Sequence, residues 1–480
     1  MRNVPRGGGG DMTSTQFLKA NSRKYMMRAL PCALLLCALA AASHAQYTDA
    51  QAIQDYGGPK EFAQRRADLA KKVKTGYVLL FARTHLPEAA HYREDNDFFY
   101  YTGIADPGAA MLLDAEKGTT MIFEPEQDKR TAQVYGPNLL ALPKDEQAKL
   151  GYPVVISDAQ FQVTLAFLLS NHPETDLWAR LSPPDLADGA RVEVANSYGQ
   201  QDLFPWHPDV YPDEAPVRFL AKRFPQAHLL DVTPSMNEMR NIKTPGEIEV
   251  LRRVGKMSAE GNREAIAQAK PGMYQYQIEA TAYCYYYSHG AQGVAYPAIV
   301  GSGSDANTWH YFSNRHVIQP DELVVFDYAA SLDQMTMDIT RTFDISGKFT
   351  PEQAKWYQVD LDAQEAVIAL LTPGHTYDEA QAAGKAVYEK AGIADQWTGF
   401  PGHFVGLATH DVAATGVRVS GNVTPGQVVT VEPIVEFPDK HMHYRVEDTI
   451  LITSGAPEIL SAAVPKEMAD VEKMVGSENK

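Results

Sequence analysis

Residues 326–343 read FDYAASLDQMTMDITRTF. The run ELVVFDYA leading into them and the run MTMDITRTFDI closing them are rich in Val, Ile, Thr, Phe and Tyr, and SLDQ between has turn chemistry. The segment therefore reads as two strands joined by a short connection. Each strand carries an aspartate among apolar neighbours, Asp327 and Asp338. A carboxylate held in such surroundings is costly unless something pairs with it.

Four more places in the C-terminal half repeat the pattern. VVTVEPIVEF reads as a strand with Glu432 inside it, and HYRVEDTILIT as another with Glu447 inside it. PGHFVGLATHD holds His403 and His410, and GSGSDANTWHYFSNR offers His310. Singly, each has an ordinary explanation as a loop histidine or a solvent-facing glutamate. Together, Asp327, Asp338, Glu432 and Glu447 make four strand carboxylates that would repel one another on meeting, forcing one or more to take up a proton. Divalent cations remove that conflict. Four carboxylates and an imidazole form an oxygen-rich shell suited to two Mn²⁺ ions, with Zn²⁺, Co²⁺ or Fe²⁺ as competitors. Two ions about 3.5–4 Å apart can share a bridging water, lower its pKa and hold a developing oxyanion.

Around these strands the C-terminal half carries a faint repeat. IAQAKPG (266–272) and IALLTPG (368–374) each close one helical pattern and precede another, YQIEATAYCYYY and YDEAQAAGKAVYEKAG, after which strands follow. Helix, helix, strands, twice over, predicts two similar halves about a pseudo-twofold axis. Upstream, residues 59–72 have helical spacing, and GYVLLFAR, DFFYYTG, AAMLLDA and GTTMIFEP read as strand-like runs, predicting an α/β domain. The segment from Asp231 to Gly255 reads as a boundary, with Thr244 capping a helix that opens at Pro245 and places Glu247 in its first turn.

The first 45 residues differ from the rest. Arg23, Lys24 and Arg28 precede a short apolar run and small residues at Ser43 and Ala45, the layout of a secretory signal cleaved after Ala45. The run falls short of the roughly 20 residues a membrane span needs. Cleavage removes two of three cysteines, leaving Cys284, so no internal disulfide is expected. It also removes six Lys/Arg and one Asp, taking the formal net charge from −17 to −22. That acidity argues against nucleic acid and anionic membranes as partners. The expected product is secreted or periplasmic.

These motifs in this order resemble the pita-bread metallopeptidases, in the aminopeptidase P and prolidase branch. YREDNDFFYYTGIADPGAAMLL (92–113) is similar to that branch's N-terminal domain and RNIKTPGEIEVLR (240–252) to its domain junction; the order Asp, Asp, His, Glu, Glu is complete, with the family's eleven-residue step between the aspartates. The resemblance implies an α/β N-terminal domain (46–235) followed by a pita-bread α+β catalytic domain (236–480) with internal pseudo-twofold symmetry. It implies that Asp327 binds one metal, His403 the other, and that Asp338 and Glu447 bridge both. Glu432 would ligate and handle protons from the bridging water. His310 and His410 would contact substrate and stabilise the tetrahedral intermediate, and Arg445 would orient the carboxylates. Thr340 and Arg341 are supporting candidates. The implied activity is release of the N-terminal residue from peptides with proline second, by a homo-oligomer. A dipeptide-restricted prolidase and a non-catalytic binding protein are the alternatives. The chain departs from the family at Ala329, Met335, Ile434 and Gly399, where relatives usually carry glycine, tyrosine, glycine and histidine; these positions belong to the pocket and its surroundings, not to the ligand set.

Overall fold

The computed structural model describes residues 50–84, 92–171, 174–201, 215–411 and 419–479. The expected export signal at 1–45 lies outside them.

Helix α1 (Pro59–Val73) forms where the apolar spacing expects it and buries Phe62, Leu69 and Val73. Strands β1 (Tyr77–Phe81), β2 (Ala110–Asp114), β3 (Thr119–Glu124), β4 (Val155–Ser157), β5 (Asp176–Ala179) and β6 (His228–Asp231) make a six-stranded sheet in the order β4-β3-β2-β1-β5-β6. It is antiparallel at β1–β2 and β2–β3 and parallel at the other three joins.

The run DFFYYTG is not a strand. It lies in helix α2 (Asn96–Thr102), whose seven residues are all buried. The Asp95 carboxylate accepts from the Asp97 and Phe98 amides, and Gly103 closes the helix in the left-handed region at φ 65°. A helix buried on every side shows no amphipathic stripe, so the aromatic content alone suggested a strand. This part of the chain also contains, among other helices, α3 (Phe161–Asn171), α4 (Arg191–Gln201) and α5 (Thr233–Asn241).

The boundary segment opens helix α6 (Pro245–Gln268) as expected. Thr244 Oγ1 accepts from Glu247 N and the Glu247 carboxylate accepts from Thr244 N, a full capping box with proline in the first turn. Helix α7 (Gln275–Ser288) follows, then β7 (Gly293–Val294), β8 (Ile299–Ser302), β9 (Leu323–Asp327), β10 (Ala330–Ser331) and β11 (Thr340–Asp344). The pattern returns with helices α8 (Pro351–Ile368) and α9 (Tyr377–Ala391), both opened by capping boxes, and strands β12 (Val428–Val431), β13 (Ile434–Phe437), β14 (Met442–Arg445), β15 (Asp448–Leu451) and β16 (Glu458–Ile459). The halves contribute the three-stranded sheets β11-β9-β8 and β12-β15-β16. The faint sequence repeat thus marks a real repetition of helix pair and sheet. One apolar core runs from Phe62, Phe99 and Met111 through Val254 to Phe326 and Met337, so the six-stranded sheet and the catalytic half share an interior. Among the described residues, no helix is long and apolar enough to cross a membrane.

Candidate metal centre

The hairpin at residues 326–343 forms, with a tight turn. Leu332 and Met335 exchange backbone hydrogen bonds of 3.0 and 2.9 Å across Asp333 and Gln334, whose φ values of 48° and 64° give the turn a twist that suits a hairpin. Asp327 ends β9, with Thr340 of β11 and Ile299 of β8 as its register partners.

The other three carboxylates lie outside the ladders, contrary to the strand reading. Asp338 is two residues short of β11, Glu432 sits between β12 and β13, and Glu447 between β14 and β15. At each place the backbone amide turns to a partner elsewhere. Asp338 N donates to Thr449 Oγ1 (3.3 Å), Glu432 N to the Pro401 carbonyl (2.9 Å) and Glu447 N to the Thr340 carbonyl (3.0 Å). The β-rich composition of the flanks concealed these breaks, which let the side chains converge without costing any amide its partner.

Converge they do. Asp327, Asp338 and Glu447 present oxygens within 4.8 Å of one another; so, with their ring nitrogens, do the sets His403, Glu432, Glu447 and Asp338, His403, His410. His403 Nε2 stands 3.3 Å from Asp338 Oδ2 and 3.5 Å from Glu432 Oε1, while its Nδ1 faces the Phe404 carbonyl at 3.2 Å. That contact turns Nε2 toward the carboxylates. Tyr296 donates to Asp327 Oδ1 (2.6 Å), Arg445 Nη2 to Asp327 Oδ2 (2.8 Å) and Thr340 Oγ1 to Glu447 Oε2 (2.7 Å). Arg341 holds the Glu447 carbonyl at 2.6 Å and the Asp448 carboxylate at 2.7 Å. Both supporting candidates therefore touch Glu447.

Burial raises Asp327 to about 7 against the pull of Arg445. It drives Glu447 well above the usual carboxylate range, and the neighbouring Asp338 and Glu432 push further. Burial also disfavours charge on Asp338 and on His403, but their mutual contact wins, keeping Asp338 below its ordinary value and raising His403 to about 9. Asp338 Oδ1 and Glu447 Oε1 are buried with no hydrogen-bond partner. Two orphaned carboxylate oxygens inside a set that resists full ionisation are what divalent cations would satisfy, so this donor set fits them.

A cavity of ≈ 510 Å³ opens beside the cluster, lined among others by His310, His410, Glu432 and Arg445. Burial lowers His310, and the Arg445 charge lowers it further. The His403 and His410 rings are 4.2 Å apart. Gly399, Phe400 and Ile434 line the same cavity, whereas Ala329 and Met335 are wholly buried.

Sequence reasoning missed the groups that reach this site from the N-terminal part and from the junction segment. His410 Nδ1 is 2.7 Å from Glu193 Oε1 on α4, and Thr409 N donates to the Ala187 carbonyl (2.7 Å). Arg240 and Lys243 bond the Asp411 carboxylate at 2.6 and 2.9 Å, and Arg93 donates to the Leu407 and Gln334 carbonyls. Arg240 is tied back to Asp97, which Arg180 and Arg191 also hold; these charges keep the Asp97 carboxyl far below its ordinary value despite complete burial. No local motif announces such through-space partners.

Comparison with known proteins fits this geometry. The model of metallopeptidase family M24 matches residues 249–454, and that of the aminopeptidase P N-terminal domain matches 62–178. An uncharacterized peptidase, YqhT, of Bacillus subtilis is 31% identical over 242 residues, covering 50% of this chain and 68% of that protein. The chain belongs to metallopeptidase family M24. Within M24 it is aminopeptidase P-like. The Xaa-Pro aminopeptidase of Escherichia coli is 29% identical over 87% of this chain and 97% of its own length. Aminopeptidase P from E. coli with the inhibitor Pro-Leu superposes with a TM-score of 0.72 at 26% identity, covering 88% of this chain and 99% of that one. Proline aminopeptidase P II from Yersinia pestis gives 0.72 at 26%, covering 88% and 100%. This M24 member has the pita-bread fold, and its family implies divalent metal ions.

Proposed function

We propose that this metallo-aminopeptidase is an exported enzyme that uses two divalent ions, Mn²⁺ first among them, to release the N-terminal residue from Xaa-Pro peptides. The observation that carries the reading is the convergence of buried Asp327, Asp338 and Glu447 with half-buried His403 and Glu432, with an orphaned oxygen on each of Asp338 and Glu447. Ions bound there would make a shared water acidic and offset charge on the scissile carbonyl oxygen.

The chain's own groups account for the rest. Tyr296 and Arg445 fix both oxygens of Asp327, and Thr340 fixes one oxygen of Glu447, so the carboxylates keep their places while charge shifts. Glu432, at the cavity wall, is placed to take a proton and pass it to the leaving amine. His410, backed by Glu193, and His310 donate to substrate oxygens, Glu193 fixing which His410 nitrogen faces the cavity.

Export is supported by the signal-like composition of residues 1–45. Self-association is supported by Val163 and Phe167 of α3, each 66% exposed. N-terminal sequencing of the exported protein should begin at Gln46, and sedimentation at micromolar concentration should give more than a monomer mass.

The deciding experiment combines metal analysis of the purified protein with hydrolysis of Xaa-Pro dipeptides and longer Xaa-Pro peptides. Two metals per chain and faster cleavage of the longer peptides support the proposal. Faster cleavage of dipeptides replaces it with the prolidase reading, and full activity after exhaustive chelation ends both.

A further inference from the structure

The cavity beside the carboxylates continues past them along β13. Glu432, Pro433, Ile434 and Glu436 all line it; within the strand itself Ile434 and Glu436 face the cavity while Val435 between them is wholly buried, as the two-residue period of an extended chain requires. At ~3.3 Å per residue, Glu436 lies at most roughly 13 Å along the chain from Glu432, which precedes β13. Its carboxylate is bonded on one side and has an imidazole close by. Trp309 Nε1 donates to Oε2 (3.2 Å), and His443, its register partner on β14, brings Nδ1 within 3.4 Å of the same oxygen. His443 keeps the Glu436 carboxyl below its ordinary value; partial burial opposes this and the Trp309 indole assists.

The surroundings fit one kind of ligand. Asp395 adds a second carboxylate to the lining, and the indoles of Trp309 and Trp397 supply flat aromatic faces. Arg445, the guanidinium among the lining residues, is committed to Asp327. Two divalent ions would balance the four carboxylates of the cluster, leaving Glu436 and Asp395 as uncompensated negative charge beside aromatic rings. That combination attracts an ammonium or guanidinium group.

We propose that this outer end of the cavity binds a basic side chain of the substrate, on the third residue of the peptide. The inference rests on the aminopeptidase reading: such a substrate carries one residue before the cleaved bond, so only the chain after that bond extends this far. Two residues of extended chain cover about 7 Å and an arginine side chain adds about 6 Å, which together span the distance to Glu436.

The test uses the metal-loaded enzyme and tetrapeptides Xaa-Pro-Yaa-Ala with Yaa as arginine, its neutral isostere citrulline, or glutamate. An ion pair at a half-exposed carboxylate corresponds to about a fivefold preference for arginine over citrulline in kcat/KM, read mainly in KM. Glu436→Gln should bring that ratio to one, and Glu436→Lys should make glutamate the best third residue. Equal rates for arginine and citrulline in the wild type, or the same ratio in wild type and Glu436→Gln, overturns the proposal; so does a preference for arginine at the first residue alone. A parallel Xaa-Ala-Yaa-Ala series separates the two readings. If only that series is cleaved, the proline assignment falls while the third-position ratio still judges Glu436.

Discussion

Gly402, next to His403, gives the sharpest test of how the backbone holds the cluster. A Cβ built on Gly402 would lie 2.2 Å from the Thr430 carbonyl oxygen and 2.8 Å from its carbon, on a residue with φ +153°. The approach has a purpose: Thr430 N donates to the His403 carbonyl (2.8 Å) and His403 N to Thr430 Oγ1 (3.0 Å), pinning the His403 backbone to β12 beside Glu432. Because the clashing atom belongs to the backbone, no rotamer change relieves it, and Gly402→Ala must push the two segments apart. Overpacking of this kind costs about 1–3 kcal/mol, and the unfavourable φ adds roughly 1–2 kcal/mol. Gly399 is the control. Its φ is +137°, yet the nearest atom to an added Cβ is Gln381 Oε1 at 3.8 Å, so Gly399→Ala bears the backbone strain without the clash. Urea unfolding should show a loss of roughly 1–2 kcal/mol for Gly399→Ala and roughly 2–5 kcal/mol for Gly402→Ala, and equilibrium dialysis should show weakened metal binding for Gly402→Ala alone. Equal losses, or unchanged metal affinity in Gly402→Ala, would refute the claim that this contact positions His403.

Asp338→Asn removes a charge from the oxygen pair that faces both His403 and the other carboxylates; it should abolish detectable hydrolysis and lower metal stoichiometry by atomic absorption, with Mn²⁺ restoring chelated wild type but not the variant. Glu193→Ala frees His410 to rotate and should lower kcat by roughly 10–100-fold with little change in KM, partly recovered in Glu193→Gln. Asp448 is held at about 2 because the Arg341 and Lys466 charges outweigh its burial. Its folded pKa lies below the unfolded one, so its contribution is present above about pH 4 and fades as pH falls toward 2, amounting to roughly 2 kcal/mol. Asp448→Asn should therefore flatten the acid limb of stability against pH, and an unchanged slope would show that the pair contributes nothing there.

Some of this was legible because the physics is local. A capping box is spelled by four neighbouring residues, as in Thr244–Glu247, and a polar group in an apolar strand run stands out at Asp327. The ligands were found for that reason even though three of the four carboxylates sit at strand breaks. Helix α2 was lost because burial on all sides erases the period that marks a helix. Glu193 and Tyr296 were lost for another reason: 217 residues separate Glu193 from His410, and nothing near either position records the bond.

The bonds from Arg93 to Leu407 and from Arg240 to Asp411 bridge 314 and 171 residues. A chain synthesised from its N-terminus has the arginines long before it has the loop they grip. Contacts so distant in sequence close late, since the intervening segments must fold before the ends meet. The loop bearing His410 thus takes its working shape only after the strands on both sides of it exist. Completion of the cavity wall is thereby coupled to completion of the fold on both sides of it.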